Sequence, residues 1–278
     1  HEPRQQAPTR YPVTAPTTIR PLDLPGGPRY DGGFNYPKTV QPVLDRYCIT
    51  CHGLEHHEAD LNLLGTSAVL PINEYPGCPA TLTAPESYIQ LVERPGLVAL
   101  AQRNEETPAS RPKDYFAHAG RLASHLLAGH SKPLLADRES LSCLIDWLDL
   151  NGQCYGDYSW NRPGDRQTDP AGEKALREAI GARFGSSWAG QPLAALVNTA
   201  MPSQSRILLA PLARDAGGWG QIETQPFTSA DSPAYRAFRG LVDASIAPSP
   251  GHDMQGTCGQ DPCRCGCCWV RKGMASKP

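Results

Sequence analysis

Residues 36–53 of the chain read YPKTVQPVLDRYCITCHG, and they combine a short apolar period with a cluster of sulfur and imidazole groups. Pro37 suits the first turn of a helix, where its missing N–H is not needed. Apolar residues then recur at helical spacing, namely Val40, Val43, Leu44 and Tyr47. Cys48, Cys51 and His52 continue this face, and Gly53 is placed to end the helix. The pattern predicts an amphipathic helix whose last turn points the two cysteines and the histidine toward the core.

The run Cys48-Ile49-Thr50-Cys51-His52 has the spacing of a haem c attachment site. Two thiols three residues apart lie on one helix face, where both can form thioethers with the vinyl groups of a porphyrin. The histidine that follows is then directed at the iron as its proximal ligand. We therefore predict one covalently attached haem c, held by Cys48, Cys51 and His52.

Two other chemistries use cysteine pairs at this spacing. A structural zinc site needs a second ligand pair at metal-ligand spacing, and a thioredoxin-like redox pair needs a β-α-β context. The sequence around residue 48 contains neither context. It therefore favours haem over both alternatives.

The ligand on the distal side of the iron is less constrained. The candidates are His56, His57, His118, His125, His130, Met201, Met254 and the tyrosines. We favour His130, because it follows a leucine-bearing helix, predicted over 116–128, that stops at Gly129. The alternative reading of His130 is an ordinary exposed loop histidine. We expect His125 to be partly buried on that helix, and His56 and His57 to shape the haem edge.

The distal ligand selects the function. Two strong axial ligands are typical of an electron carrier, whereas an open or weakly held position is typical of a catalyst or a gas binder. We expect a monohaem cytochrome that transfers one electron to or from a redox partner protein. The alternative is a haem enzyme, and a third possibility is a structural subunit whose haem only supports folding.

The composition indicates a loop-rich protein with short helices, because the 278 residues include 28 prolines and 26 glycines. We predict a mainly α fold with three parts. Residues 1–35 form an extended lead segment, 36–160 a loop-rich cytochrome c-like haem domain, and 161–278 a smaller helical C-terminal region with a cysteine-rich tail. The boundary falls in a stretch rich in Pro, Gly and Asp.

Helix signals recur along these parts. A short helix is predicted near 86–92, within residues 53–115 that otherwise read as loop without alternating strands. Asp137 is placed to cap a leucine-bearing helix that ends at Asn151-Gly152. Two later helices are expected to begin at Asp169-Pro170 and at 231–233.

The chain has ten cysteines, which suggests an oxidising, extracytoplasmic compartment such as the periplasm. Haem attachment leaves eight. The tail cysteines are Cys258, Cys263, Cys265, Cys267 and Cys268. We favour disulfides, with Cys78, Cys143 or Cys154 as candidate partners, over a soft-metal site in the tail.

Charge and hydropathy argue against several classes of partner. The formal net charge is −2, and no basic stripe suggests a nucleic-acid partner. No apolar run approaches the roughly 20 residues of a membrane-spanning helix. The opening HEPRQQAPTRYPV lacks the apolar segment of an export signal, so we expect any such signal to lie upstream or to have been removed.

Several segments resemble the large exported cytochrome family that includes the hydrazine synthase alpha subunit. They are YPKTVQPVLDRYCITCHG at 36–53, RLASHLLAGHSKPLLADRESLSCLIDWLDLN at 121–151, LLAPLARDAGGWG at 208–220, 231–235 and the terminal CGCCWVR. The resemblance implies an upstream propeller-like domain, with His1-Glu2 as the end of another CxxCHE motif, and hence a carboxy-terminal fragment of a longer protein.

The same resemblance implies an alternative activity on small nitrogen compounds, but the chain departs from the family pattern. Hydrazine synthase alpha subunits carry two haems in this portion, whereas one complete motif occurs here and NGQCYGDY at 151–158 supplies no second. The family's catalytic haem is associated with a tyrosine shortly after the motif, where this chain has His56 and His57. The resemblance supports the fold and haem binding without carrying over the reaction.

Overall fold

Helices dominate the computed structural model, which describes residues 30, 33–53, 58–72, 80–101, 113–154, 168–224 and 226–247. The predicted mainly α character is confirmed. The helices of the described residues are α1 Tyr36–Thr39, α2 Gln41–Tyr47, α3 Glu86–Glu93, α4 Phe116–Ala119, α5 Arg121–Leu127, α6 Lys132–Ala136, α7 Arg138–Asp149, α8 Pro170–Phe184, α9 Ser186–Ala189, α10 Leu193–Leu196, α11 Arg206–Leu209 and α12 Pro233–Ala244. Strands β1 Ser67–Ile72 and β2 Ala80–Pro85 form an antiparallel hairpin.

Some predictions fall outside the described residues. They concern the lead segment before residue 30, the candidate ligands His56, His57 and Met254, and Cys78 with the cysteine-rich tail. Within the described ranges, no helix has both the length and the apolar character needed to cross a bilayer.

The helix predicted ahead of the cysteine motif forms as two consecutive pieces, α1 and α2. The side chain of Asn35 caps α1, and its Oδ1 accepts a hydrogen bond from the Lys38 N–H at 3.3 Å. Pro42 lies in the first turn of α2 and has no N–H to donate to the preceding turn, so the helical ladder restarts there. The predicted apolar face is confirmed, since Val40, Val43 and Leu44 are buried.

The first hydrophobic cluster packs around α1, α3 and α7. Tyr36, Tyr88 and Trp147 meet edge to face, with ring centres 5.2 Å apart for Tyr36–Tyr88 and for Tyr36–Trp147. Such contacts between rings add roughly 0.5–1.5 kcal/mol to the free energy of area burial. The cluster thus fixes α1, and with it the start of α2, against the rest of this part of the chain.

Two details of this part differ from the sequence-based predictions. The helix predicted over 116–128 is broken at Gly120, where ψ is 138°, and becomes α4 and α5. A side chain at Gly120 would meet the Leu97 carbonyl at 2.9 Å, so close packing selects glycine there. The predicted loop over 53–115 contains the β1–β2 hairpin, whose prolines lie on a two-stranded sheet where every strand is an edge.

The second hydrophobic cluster is built from α8, α10, α11 and α12. Asp169 caps α8 and Ser232 caps α12, as their positions before Pro170 and Pro233 predict. The inward residues of α12 are Tyr235, Phe238 and Val242, as predicted. The caps are local signals and were therefore readable from the sequence.

Among the described residues, two side-chain hydrogen bonds join the C-terminal part to the α1–α2 segment. The buried Asn198 Nδ2 donates to the Pro37 carbonyl at 2.7 Å. The exposed Gln221 Nε2 donates to the Arg46 carbonyl at 2.9 Å. The C-terminal part thus braces both ends of the α1–α2 segment.

Candidate functional site

The cysteine motif forms a hydrogen-bonded turn directly after α2. Cys48 is the C-cap residue, and its N–H donates to the Leu44 carbonyl at 2.8 Å. The N–H groups of Cys51 and His52 both donate to the Cys48 carbonyl, at 3.1 and 2.9 Å. The prediction that the motif occupies the last helical turn is therefore wrong in detail. Gly53 is nevertheless required, because a side chain there would collide with the Ile49 carbonyl at 2.2 Å.

The two cysteines and the histidine lie along one wall of an apolar cavity of about 780 Å³. Cavities of roughly 300–1,000 Å³ hold drug-sized ligands and cofactors. Leucines from α2, α3, α5, α7 and the intervening loops form most of its surface, namely Leu44, Leu61, Leu63, Leu91, Leu97, Leu122, Leu126 and Leu144. The cavity therefore suits a large, flat, apolar group attached to the thiols of Cys48 and Cys51.

His52 is held in one orientation by the backbone. Its side chain is 9% exposed, and its Nδ1 lies 2.9 Å from the Glu58 carbonyl. A carbonyl can only accept, so Nδ1 carries the proton and Nε2 is left with a free lone pair. Histidines that bind metals commonly donate their other ring N–H to a backbone carbonyl in this way. Burial lowers the pKa of His52, which favours the neutral form that a metal needs.

His130, the favoured distal candidate, faces His52 across the cavity. The two ring centres are 6.0 Å apart, and the planes are inclined by 31°. A first-row metal bound between two imidazole nitrogens at about 2.0–2.1 Å each separates the ring centres by roughly 6 Å. His130 follows α5 after Gly129, whose φ of +88° turns the chain toward the cavity. The spacing of His52 and His130 therefore fits one metal ion between them.

The other candidate ligands are placed less favourably. His125 also lines the cavity, with its ring centre 6.5 Å from that of His130, but its side chain is exposed, so the expected partial burial is wrong. On α5, Ala123 and Leu126 are buried whereas Ser124, His125 and Leu127 are exposed, so His125 lies off the buried face of this helix. His118 is exposed on α4, and Met201 belongs to the C-terminal part; neither lines the cavity.

Tyr47 is the tyrosine that lines the cavity among the described residues. Its hydroxyl donates to Asp137 Oδ2 at 2.6 Å, and Arg46 pairs with the same carboxylate at 3.1 Å. Burial and the bond to Asp137 raise the pKa of Tyr47 to about 12, so the phenol keeps its proton at neutral pH. Tyr47 therefore serves as a wall residue that ties α2 to α7.

Three cations at the cavity were missed by the sequence-based reading. Arg94, Arg121 and Lys132 line it, and no aspartate or glutamate does so among the described residues. Arg94 donates to the carbonyls of Ala59 and Asp60, at 2.6 and 2.9 Å, and so also braces the segment after His52. The one available signal was the stretch 116–136, which contains Arg121, Lys132 and three histidines but no acidic residue.

The two thiols of the motif differ in exposure. Cys51 is exposed, whereas Cys48 is half-buried against the cavity wall. Burial raises the pKa of the Cys48 thiol to about 12, and nearby Asp45 acts in the same direction. A thioredoxin-like pair depends on a thiol whose pKa is lowered. The environment of Cys48 is the opposite of what that chemistry requires.

The residues around the cavity fit a haem. They provide two thiols, an oriented imidazole with a second imidazole opposite, apolar walls, and cations that suit the porphyrin carboxylates. The described residues contain no group of three or more His, Cys, Asp or Glu side chains arranged to hold a bare metal ion. A haem iron takes its equatorial donors from the porphyrin and needs only axial ligands from the chain.

The remaining candidate disulfide residues of the described part lie apart from this site. Cys143 and Cys154 are both buried in the first hydrophobic cluster. The Cys143 thiol donates to the Thr39 carbonyl at 3.3 Å and is not in a disulfide.

Comparisons with known proteins give no assignment for the chain. No family model matches it, and neither curated proteins nor solved structures provide a match.

Proposed function

We propose that the chain is a monohaem c-type cytochrome that transfers one electron in an extracytoplasmic compartment. One observation carries the proposal: the thiols of Cys48 and Cys51 and the ring of His52 line an apolar cavity in which His130 faces His52 at 6.0 Å. Haem supplies the one-electron chemistry when it is bound there.

Each residue has a role in this proposal. Cys48 and Cys51 are the thioether anchors, His52 is the proximal ligand and His130 is the distal ligand. The Glu58 carbonyl holds the proton on His52 Nδ1, which leaves Nε2 as the nitrogen that would bind the iron. The leucine walls exclude water, which keeps the iron in a low-dielectric site and contributes to its reduction potential.

The cations of the cavity wall would bind the polar edge of the cofactor. The two carboxylates of the porphyrin could pair with the cations of the cavity wall, which are Arg94, Arg121 and Lys132. No acidic side chain of the described residues lines the cavity, so none competes there for these cations. Residues 36–160 would form the cytochrome c-like domain. Its partner would be a redox protein of the same compartment.

The alternative proposal is a haem c enzyme related to the hydrazine synthase alpha subunit, acting on small nitrogen compounds. The exposure of His130 favours it, because an exposed loop side chain after a glycine can be displaced from the metal at little cost. A displaced ligand would leave a position where a small molecule can bind.

Mass spectrometry of the intact protein tests haem attachment. The chain is produced in a bacterium competent in cytochrome maturation, and we expect a mass increase of one haem together with a haem c absorption spectrum. The double variant Cys48→Ala/Cys51→Ala should lose both, whereas Cys143→Ala, which removes a thiol outside the cavity, should keep both. A colourless product with the mass of the polypeptide alone contradicts the proposal.

Carbon monoxide separates the carrier from the enzyme. The reduced spectrum of a carrier with two strong ligands should be unchanged by the gas. A strong shift on its addition would favour the enzyme.

A further inference from the structure

Asp45 is a carboxyl group buried between the two parts of the chain. It lies on α2, and its side chain is 6% exposed. A buried carboxylate is costly unless partners replace the water that it loses. The surroundings of Asp45 therefore decide how readily it holds a proton.

A chain of buried polar side chains leads to Asp45. Gln41 Nε2 donates to Asp45 Oδ1 at 2.8 Å and also to the Leu63 carbonyl at 3.1 Å. Gln41 Oε1 accepts from the Ser87 hydroxyl at 2.5 Å, and Ser87 accepts from the Tyr36 hydroxyl at 3.0 Å. The donor that reaches Asp45 is thus a neutral amide, which stabilises a carboxylate far less than a charged partner would.

The charged and titratable groups near Asp45 offset only part of the cost of burying its carboxylate. Arg206 of α11 favours the carboxylate, but its Nη1 donates to Gln191 at 2.8 Å, and no ion pair within 4 Å joins Arg206 to Asp45 among the described residues. The Tyr36 phenol and the Cys48 thiol also interact electrostatically with Asp45, and their raised pKa values keep both groups neutral. Burial is the largest influence, and it raises the pKa of Asp45 to about 7.

A small cavity beside Asp45 gives a proton a place to enter. It has a volume of about 150 Å³, and its wall includes the polar side chains of Gln41, Ser67 and Asn198 together with Asp45. A water molecule occupies about 30 Å³ in the liquid and needs two to four polar partners, so the cavity can hold water. Asp45 is therefore buried without being sealed from solvent protons.

Asp45 is also close to the proposed haem. It precedes Cys48 by three residues, and Cβ atoms at this spacing on a helix lie about 5–6 Å apart. The carboxyl already acts electrostatically on the Cys48 sulfur. A change of charge on a macrocycle bonded to that sulfur would be felt at Asp45 through a low-dielectric interior.

We propose that Asp45 binds one proton when the haem iron is reduced by one electron, so that the chain is a proton-coupled electron carrier. The electron comes from a one-electron donor, and the iron passes from Fe(III) to Fe(II). The proton comes from water and forms an O–H bond on the Asp45 carboxylate. Reduction removes one positive charge beside the carboxylate, which makes its neutral form more favourable. This inference rests on the proposed function.

Redox titration against pH tests the coupling. Potentials of the haem-loaded protein are measured with dithionite and ferricyanide from pH 5 to 9. Asp45 is protonated in both states at low pH, so the potential should be flat there. Above the pKa of Asp45 in the oxidised protein it should fall by up to about 59 mV per pH unit, a tenfold change in the equilibrium constant for reduction. It should level off above the pKa of Asp45 in the reduced protein.

Asp45→Asn mimics the protonated form at nearly the same size. The reduction potential of this variant should equal the low-pH value of the unchanged chain and should not decrease above neutral pH. Asp60→Asn removes an exposed carboxyl next to the cavity and should retain the full pH dependence. A fall that persists in Asp45→Asn would assign the proton to another group, such as a porphyrin carboxylate, and overturn the inference.

Infrared spectroscopy detects protonation of Asp45 directly, without a measurement of the reduction potential. The reduced-minus-oxidised difference spectrum should contain the C=O band of a protonated carboxyl, absent from Asp45→Asn and present in Asp60→Asn. Circular dichroism checks that the variants fold. If Asp45→Asn does not fold, Asp45→Glu replaces it in the test; this variant retains a titrating carboxyl and should keep the band. Absence of this band in the unchanged chain overturns the inference, whereas absence of haem defeats the proposed function itself.

Discussion

A single backbone carbonyl determines how the imidazole of His52 can act. Because the Glu58 oxygen accepts the Nδ1 proton at 2.9 Å, the other nitrogen is free to bind a metal. His130 has no comparable restraint on its ring among the described contacts, and its side chain is exposed. The two axial candidates are thus unequal, with a fixed proximal ring and a more adaptable distal one.

His130→Ala should convert the haem-loaded protein from one that does not bind carbon monoxide to one that does, because it removes the distal ligand. The reduced spectrum with and without the gas measures this change. His125→Ala is the matched control, since that ring also lines the cavity but lies on α5 rather than opposite His52. An identical spectrum in His130→Ala and the unchanged chain would remove His130 as the ligand.

At the residue scale, the sequence could predict what depends on short spacing. The positions of Cys48, Cys51 and His52 on one cavity wall follow from the motif, and that of His130 from a helix end. Arg94 could not be found in this way, because it reaches the cavity from a helix about forty residues further along the chain. Its carbonyl partners leave no signature in the sequence.

Helix α7 shows which features of an element can be predicted from local sequence. Asp137 caps its start, with its Oδ1 accepting from the Ser140 N–H at 3.2 Å, and positive φ angles at Asn151 and Gly152 follow its end. Cap and stop were both predicted from local chemistry. The break at Gly120 and the β1–β2 hairpin were not, because packing against distant residues and pairing between strands determine them.

Leu148→Ala should lower the free energy of unfolding by about 2–5 kcal/mol, because it leaves a void beneath α7. Leu148 is fully buried in the first hydrophobic cluster and does not line the cavity beside the cysteine motif. Leu150→Ala, at the C-cap of the same helix and 40% exposed, should change it by no more than about 0.5 kcal/mol. Urea midpoints measure both, and equal losses would contradict the placement of this face.

At the scale of the whole molecule, the C-terminal part holds in place the α1–α2 segment that leads into the cysteine motif. Ala195 packs within the first hydrophobic cluster, and Asn198 reaches the Pro37 carbonyl. The sequence predicted the helices of this part but not which surface they cover, because contacts over more than 150 residues have no local pattern. Asp45 becomes buried through this packing, so its proton affinity is a property of the assembled chain.

Asn198→Ala should destabilise the protein by about 1–3 kcal/mol, because it leaves the buried Pro37 carbonyl without its donor. The same change removes the acceptor of the Ala200 and Met201 N–H groups. Gln221→Ala is the matched control, since it removes a bond between the same parts at an exposed site and should cost less than about 0.5 kcal/mol. Urea denaturation compares them, and equal small losses would mean that the parts are not coupled through Asn198.

The unequal exposure of the two motif cysteines has a consequence for how the protein matures. Before any porphyrin is bound, the folded chain offers the sulfur of Cys51 to its surroundings while that of Cys48 is partly shielded and firmly protonated near pH 7. Under the proposed function, an enzyme that joins both vinyl groups to the chain would meet one exposed thiol and one partly buried thiol. If the proposed haem is attached to the folded chain, we expect the exposed Cys51 sulfur to react before the shielded Cys48 sulfur.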